Sequence, residues 1–294
     1  MIFNKSRKKR SGKLAISPAI SSVIMTGAMI AILSVALGFA NDFLWTRVAE
    51  SDYASSKQLM RSVGLQIDDV AWTAGRTETI TYATQYGDVE FETGVITYNV
   101  SVVANSLKYD FLNTTGALMF NMPTYQYSIS DDYWTQIYPD PDQDTSLTLT
   151  GTSAPVARVF EVEQVPMLDG DYIRVVAAPA IRVLYSSINS STNTRYVRMY
   201  LPVLTAGESP RLYQSLTLTG ESVKANTLNH VESIRVTVDF PAVGSGFDSD
   251  FFKFPAVSQV IDVPTISPSY DPNEYDNVVL ELYLSEVSVG FGVS

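Results

Sequence analysis

The 294-residue sequence contains no cysteine, which excludes a disulfide framework, a thiol nucleophile and any cysteine-ligated metal. It contains one histidine, His230, set in the polar stretch NTLNHVES, where it reads as a surface residue rather than a catalytic base. No Gly-rich phosphate loop, Walker pattern, H-E-x-x-H pair or nucleophile elbow occurs. Acidic residues are plentiful, but no spacing marks a pair of catalytic carboxylates. These absences predict a protein that is not an enzyme and uses no cofactor or metal.

Acidic residues are also missing from one region, since none precedes Asp42. Six of the 20 Lys and Arg residues (Lys5, Arg7, Lys8, Lys9, Arg10, Lys13) lie before the apolar run Ile16–Ala40. The remainder therefore carries 14 basic against 31 acidic residues, a net charge of −17. Such a surface repels phosphate backbones, so nucleic acid is not an expected partner. The run itself is ISPAISSVIMTGAMIAILSVALGFA, without a charge. At about 1.5 Å per residue it exceeds the roughly 20 residues needed to span a bilayer core. With the basic cluster before it and Asn41 and Asp42 after it, the N-terminus is predicted to stay inside and the rest to lie outside the cell membrane. A secretory signal would have a shorter apolar region followed by a cleavage site.

The start of the run supplies a helix N-cap, Ser17, and a proline at the first helical position, Pro18. A basic leader, a small residue and an Ile-Ser-Pro entry into an apolar helix resemble the N-terminal segment of archaeal type IV pilin-like proteins, over roughly residues 5–40. The resemblance implies that a prepilin peptidase removes the leader, and that the helix packs in a filament with other copies or other pilin-like subunits. It also implies an assembly ATPase and a membrane platform as partners. Two processing points are candidates, Gly12/Lys13 and Ala15/Ile16. The first has the small residue after the basic run; the second fits the position of the Ser-Pro pair.

Within the span, Gly27, Ala31, Ser34 and Gly38 fall on one helix face, a stripe of small side chains suited to close helix packing. Phe43 and Trp45 stand where interfacial aromatics are expected. Beyond them Leu59, Val63, Ile67 and Val70 repeat at helical spacing, no proline interrupts Ala19–Trp72, and Gly75 offers a stop. One helix is predicted over residues 16–75, apolar all round at first and amphipathic later, with Gly64 a point of slight bending.

From Arg76 the period becomes two. Thr79–Tyr82, Val95–Val100, Leu147–Leu149, Tyr196–Leu201, Leu216–Leu218, Ile234–Val238 and Leu280–Leu284 read as strands. Turn signals stand at Gly87-Asp88, Asp169-Gly170 and Gly244–Gly246. The fold class is α+β: a basic leader (1–15), the long helix, and a mainly antiparallel β-sandwich head (76–294). SLTLTG occurs at Ser146–Gly151 and again at Ser215–Gly220, so the head reads as either one module or two related ones.

Three further features bear on chemistry. Asp140, Asp142 and Asp144 open like a calcium loop, with Asp131 or Asp132 within reach in sequence. Thr145 and Gly151, however, occupy the positions where an EF-hand needs Gly and Glu. Asn99, Asn113 and Asn189 begin glycosylation sequons on the exported side, Asn99 inside a predicted strand. Tyr125, Tyr127, Tyr133 and Tyr138 cluster around Trp134, either as sheet packing or as a sugar-stacking surface. Two functions fit: a filament subunit that is a surface glycoprotein, and a single-pass adhesion protein that never polymerises.

Overall fold

A computed structural model describes residues 18–130, 133–139, 147–152, 154–163, 170–188, 194–208, 214–240, 258–261 and 277–292. Contacts divide the chain into two units, Met1–Val48 and Ala49–Ser294. One helix, α1 (Pro18–Ala71), contributes to both. It begins at the proline that lacks an N–H to satisfy and ends four residues before Gly75, earlier than expected. The end is fixed by the head. The Ser285 hydroxyl donates to the Ala71 carbonyl, and Gly75, at φ +81°, donates its N–H to Gly220 O at 2.7 Å.

The second unit is built from β1 (Thr77–Thr81), β2 (Asp88–Ala104), β3 (Leu107–Pro123), β4 (Tyr133–Tyr138), β5 (Thr148–Thr150), β6 (Ala157–Glu163) and β7 (Tyr172–Pro179). Then follow β8 (Ile181–Ile188), β9 (Thr194–Ala206), β10 (Ser215–Leu228), β11 (Val231–Asp239), β12 (Ser258–Ile261) and β13 (Asn277–Phe291). Six form a sheet in the order β1-β10-β13-β9-β8-β5, and seven form a second in the order β12-β11-β2-β3-β7-β6-β4. The seven-stranded sheet is antiparallel throughout. The six-stranded sheet is mixed, because β9–β13 and β5–β8 run parallel.

The expected sandwich is therefore corrected to a mostly antiparallel pair of sheets curled as half-barrels. The long strands are the physical reason, since they serve two separate cores. Strand β13 gives Leu280 and Leu282 to a core between the sheets, then Val287, Val289 and Phe291 to a second core that encloses the end of α1. Register shifts at Glu92/Ile96 in β2 and Gly220/Ser222 in β10 allow such strands to bend and to exchange faces. Both copies of SLTLTG contribute to the six-stranded sheet but in unlike places. The first supplies β5, an edge strand parallel to β8; the second opens β10, an interior strand antiparallel to both neighbours.

Two tight hairpins lack a glycine. Asn105 and Ser106 join β2 to β3 at φ of 50° and 60°, and His230 stands at φ 53° between β10 and β11. His230 is exposed, and its N–H donates to Asn277 Oδ1 at 2.9 Å. It lies on the surface, as its polar context predicted, and occupies a turn.

Candidate functional site

The first unit holds the apolar part of α1, and among the described residues this is the one helix long and apolar enough to cross a membrane. Its apolar side chains are turned outward on every side, from Val48 at 38% exposure to Phe39 at 73%. Gly27, Ala31, Ser34 and Gly38 are exposed as well, and a Cβ placed on Gly27 or Gly38 meets nothing within 4 Å. A stripe of small residues on an uncovered apolar helix provides a surface on which another helix can approach closely. The processing candidates Gly12, Lys13, Ala15 and Ile16 lie outside the described residues.

The second unit holds the remainder of α1 with the opposite surroundings. Met60, Val63, Ile67 and Val70 are fully buried, Leu59 partly, against Leu118, Phe120, Val159 and Val175 of one sheet and Leu216, Leu218 and Val287 of the other. Each such side chain contributes roughly 1.5–3 kcal/mol when removed from water. Gly64 permits close approach, because a Cβ there would lie 2.9 Å from Val159 Cγ2 and 3.2 Å from Tyr138 Cδ1. Gly220 does the same at the end of the helix, where a Cβ would fall 2.6 Å from Val70 O and 2.7 Å from Thr73 O.

Buried polar groups fix the register of this half. Asp52 Oδ2 accepts the backbone N–H groups of Gln85 at 2.9 Å and Tyr86 at 3.0 Å. Glu161, buried in β6, accepts from the Tyr53 hydroxyl at 3.2 Å and the Tyr133 hydroxyl at 3.1 Å, and pairs with Lys57 at 3.2 Å. Burial, reinforced by the Glu161 charge, raises the Tyr53 phenol far above its ordinary range, so that it stays neutral. Near the end of the helix Asp68 pairs with Arg182 at 3.3 Å and accepts from Trp72 Nε1 at 3.0 Å. The signal that could have found Asp52 and Tyr53 was their spacing of about two helical turns from Met60, continuing the buried stripe toward the N-terminus.

The aromatic cluster is mostly packing. Tyr127 rests on Tyr53 with ring centroids 5.1 Å apart, Trp134 stacks on Phe160 at 6.0 Å, and Tyr133 and Tyr138 are half-buried. Tyr125 alone of the group is widely exposed. Of the sequons, Asn99 and Asn113 both lie in strands. The β2–β3 register sets Asn99 opposite exposed Leu112, on the outer face, and Asn113 opposite fully buried Tyr98, on the inner face. Asn99 Oδ1 and Asn113 Nδ2 are each enclosed without a partner among the described residues. Asn189, the Asp140–Asp144 string, Asp131 and Asp132 lie outside the described residues. Among those that are described, no three His, Asp or Glu residues are grouped so as to hold a metal ion.

No protein family, curated protein or solved structure matches this chain.

Proposed function

We propose that the chain is a structural subunit of an archaeal type IV pilus-like surface filament, held through the apolar half of α1 and presenting its β-rich head outside the cell. The observation that carries the reading is the division of one unbroken helix: its first thirty residues expose apolar side chains on all sides, and its last turns are buried in a folded head. Such a rod is satisfied by lipid before assembly and by neighbouring rods after it. The basic leader and the Ile16-Ser17-Pro18 entry support processing by a prepilin peptidase, and the acid-rich head suits an aqueous exterior. Function on this reading is association rather than catalysis, with Gly27, Ala31, Ser34 and Gly38 at the tightest helix contacts. The head would be a glycoprotein surface, with Asn99, Asn113 and Asn189 as its candidate sites.

N-terminal sequencing of the protein from its native membrane, together with electron microscopy of sheared surface fibres, tests the proposal. A start at Lys13 or Ile16 and fibres containing the chain are expected. An intact basic leader on protein found only in membranes would replace the filament with a single-pass adhesion protein.

A further inference from the structure

Strands β9 and β13 run parallel and in register, which sets Tyr200 beside Tyr283 and Arg198 beside Glu281. The two tyrosine rings are stacked, with centroids 4.9 Å apart and planes 8° from parallel. That separation equals the distance between adjacent strands, so each ring turns one face to the other ring and one face away along the sheet. The outer face of Tyr200 is capped by the Arg182 guanidinium, 4.7 Å from the ring centroid, and Arg182 is held by the Asp68 carboxylate. The outer face of Tyr283 looks toward β10, where the register places Ala225, an exposed residue with only a methyl group.

Among the described residues no ring or cation covers that face. Nor, among the described residues, does a strand flank this part of β10, because β1 pairs only with Ser215–Thr219. Among the described residues, the space above Ala225, one strand-spacing wide, is left open as a slot. Glu281 stands beside it, its Oε2 accepting from Arg198 Nε at 2.6 Å and from the Tyr283 hydroxyl at 3.3 Å. Among the described residues Oε1 has no partner. The slot thus repeats what Arg182 meets on Tyr200, an aromatic face with a carboxylate at its side. The head applies the same solution elsewhere, with Arg195 over Tyr185 at 5.3 Å and Arg174 over Tyr172 at 5.0 Å.

We propose that the slot between Tyr283 and the open edge of β10 receives an arginine side chain from a partner protein, its guanidinium stacking on Tyr283 and donating to Glu281 Oε1. The planar guanidinium matches both the flat ring and the carboxylate, whereas an ammonium matches only the charge. Charge also separates it from a neutral sugar, since beyond the leader and span the chain carries 31 acidic against 14 basic residues and so attracts a basic partner. The inference is independent of whether the chain polymerises.

Saturation-transfer NMR on the full chain in lipid nanodiscs tests it, with N-acetyl-arginine amide, N-acetyl-lysine amide and methyl glucoside as probes. The arginine probe is expected to give the strongest transfer, weakened about five-fold by Glu281→Gln or Tyr283→Leu. Ala225→Arg, at an exposed position outside both cores, fills the slot from within and is expected to abolish the signal. Arginine binding that survives Ala225→Arg unchanged, or a glucoside signal stronger than that of arginine, overturns the proposal.

Discussion

The two halves of α1 are one secondary structure with opposite surroundings, and the difference lies in how apolar side chains are distributed around the axis. Between Ala19 and Ala40 they occur on every side, so no single sheet could cover them, and all are exposed within the chain. Between Ala49 and Ala71 all but Ala54 and Leu65 form one stripe, and that stripe is buried with Asp52 and Ser56 inside it. A helix apolar all round needs a medium or several neighbours, whereas a striped helix needs one partner surface. The head supplies that surface, together with acceptors and donors for the polar groups in the stripe.

The sharpest test of this contrast compares isoleucines. Ile67→Ala is expected to destabilise the head by about 2–5 kcal/mol, since it empties a fully buried position between two sheets. Ile30→Ala, the same deletion in the exposed half, should shift head unfolding by less than about 0.5 kcal/mol. Denaturant unfolding in detergent, followed by near-ultraviolet circular dichroism, measures both. Equal effects would dissolve the distinction between the halves.

Next in size is Gly220→Val. The added carbons would press on the Val70 and Thr73 carbonyls, backbone atoms that cannot turn aside, at an expected cost of about 1–3 kcal/mol. The same substitution at Gly38, where no atom lies within 4 Å of a Cβ, should leave head unfolding unchanged. If Gly220→Val is harmless, the end of the helix is not held where Gly75 and Ser285 hold it.

Alkaline pH acts on one half only, because α1 carries no ionisable side chain before Asp42. Burial raises the phenols of Tyr53 and Tyr98, so the folded head keeps them neutral while the unfolded chain ionises them near pH 10. Their contribution is complete below pH 10 and falls above it, by about 1.4 kcal/mol per pH unit for each tyrosine. Tyr53→Phe should remove one such increment from the slope of unfolding free energy against pH between about 10 and 11. An unchanged slope would mean that Tyr53 is accessible to solvent in the folded head.

How much of this was legible in the sequence follows from the same contrast. The helix could be read because Ile16–Ala40 has no charge and Val63, Ile67 and Val70 keep one face, and all three are buried. Strands with one face exposed were legible by alternation, as in β9 and β11. Strands β6 and β7 were not, since ARVFEVE is buried at all seven positions and YIRVVAAP at all but the first. A strand covered on both faces shows no period of two. The hairpin turns were hidden for a different reason: Asn105, Ser106 and His230 adopt conformations usually signalled by glycine. The sequons show the limit of local reading. Asn99 and Asn113 sit in equally polar sequence, and only the register of β2 against β3 turns one outward and the other in.

The smallest expected effect on stability is the most informative about association. Gly27→Leu adds a large side chain to the stripe shared with Ala31, Ser34 and Gly38, where the chain itself offers nothing to clash with. Helix propensity improves by up to about 1 kcal/mol, so head unfolding should move by no more than that, and upward if at all. Close packing between neighbouring helices, by contrast, depends on the missing side chain, and the filament proposal therefore predicts that Gly27→Leu cells retain the protein in their membranes but yield few sheared fibres. Normal fibre yield would take the stripe out of the assembly contact. A head that melts early would show instead that the exposed half is coupled to the buried one, and the contrast between them would fail at its simplest point.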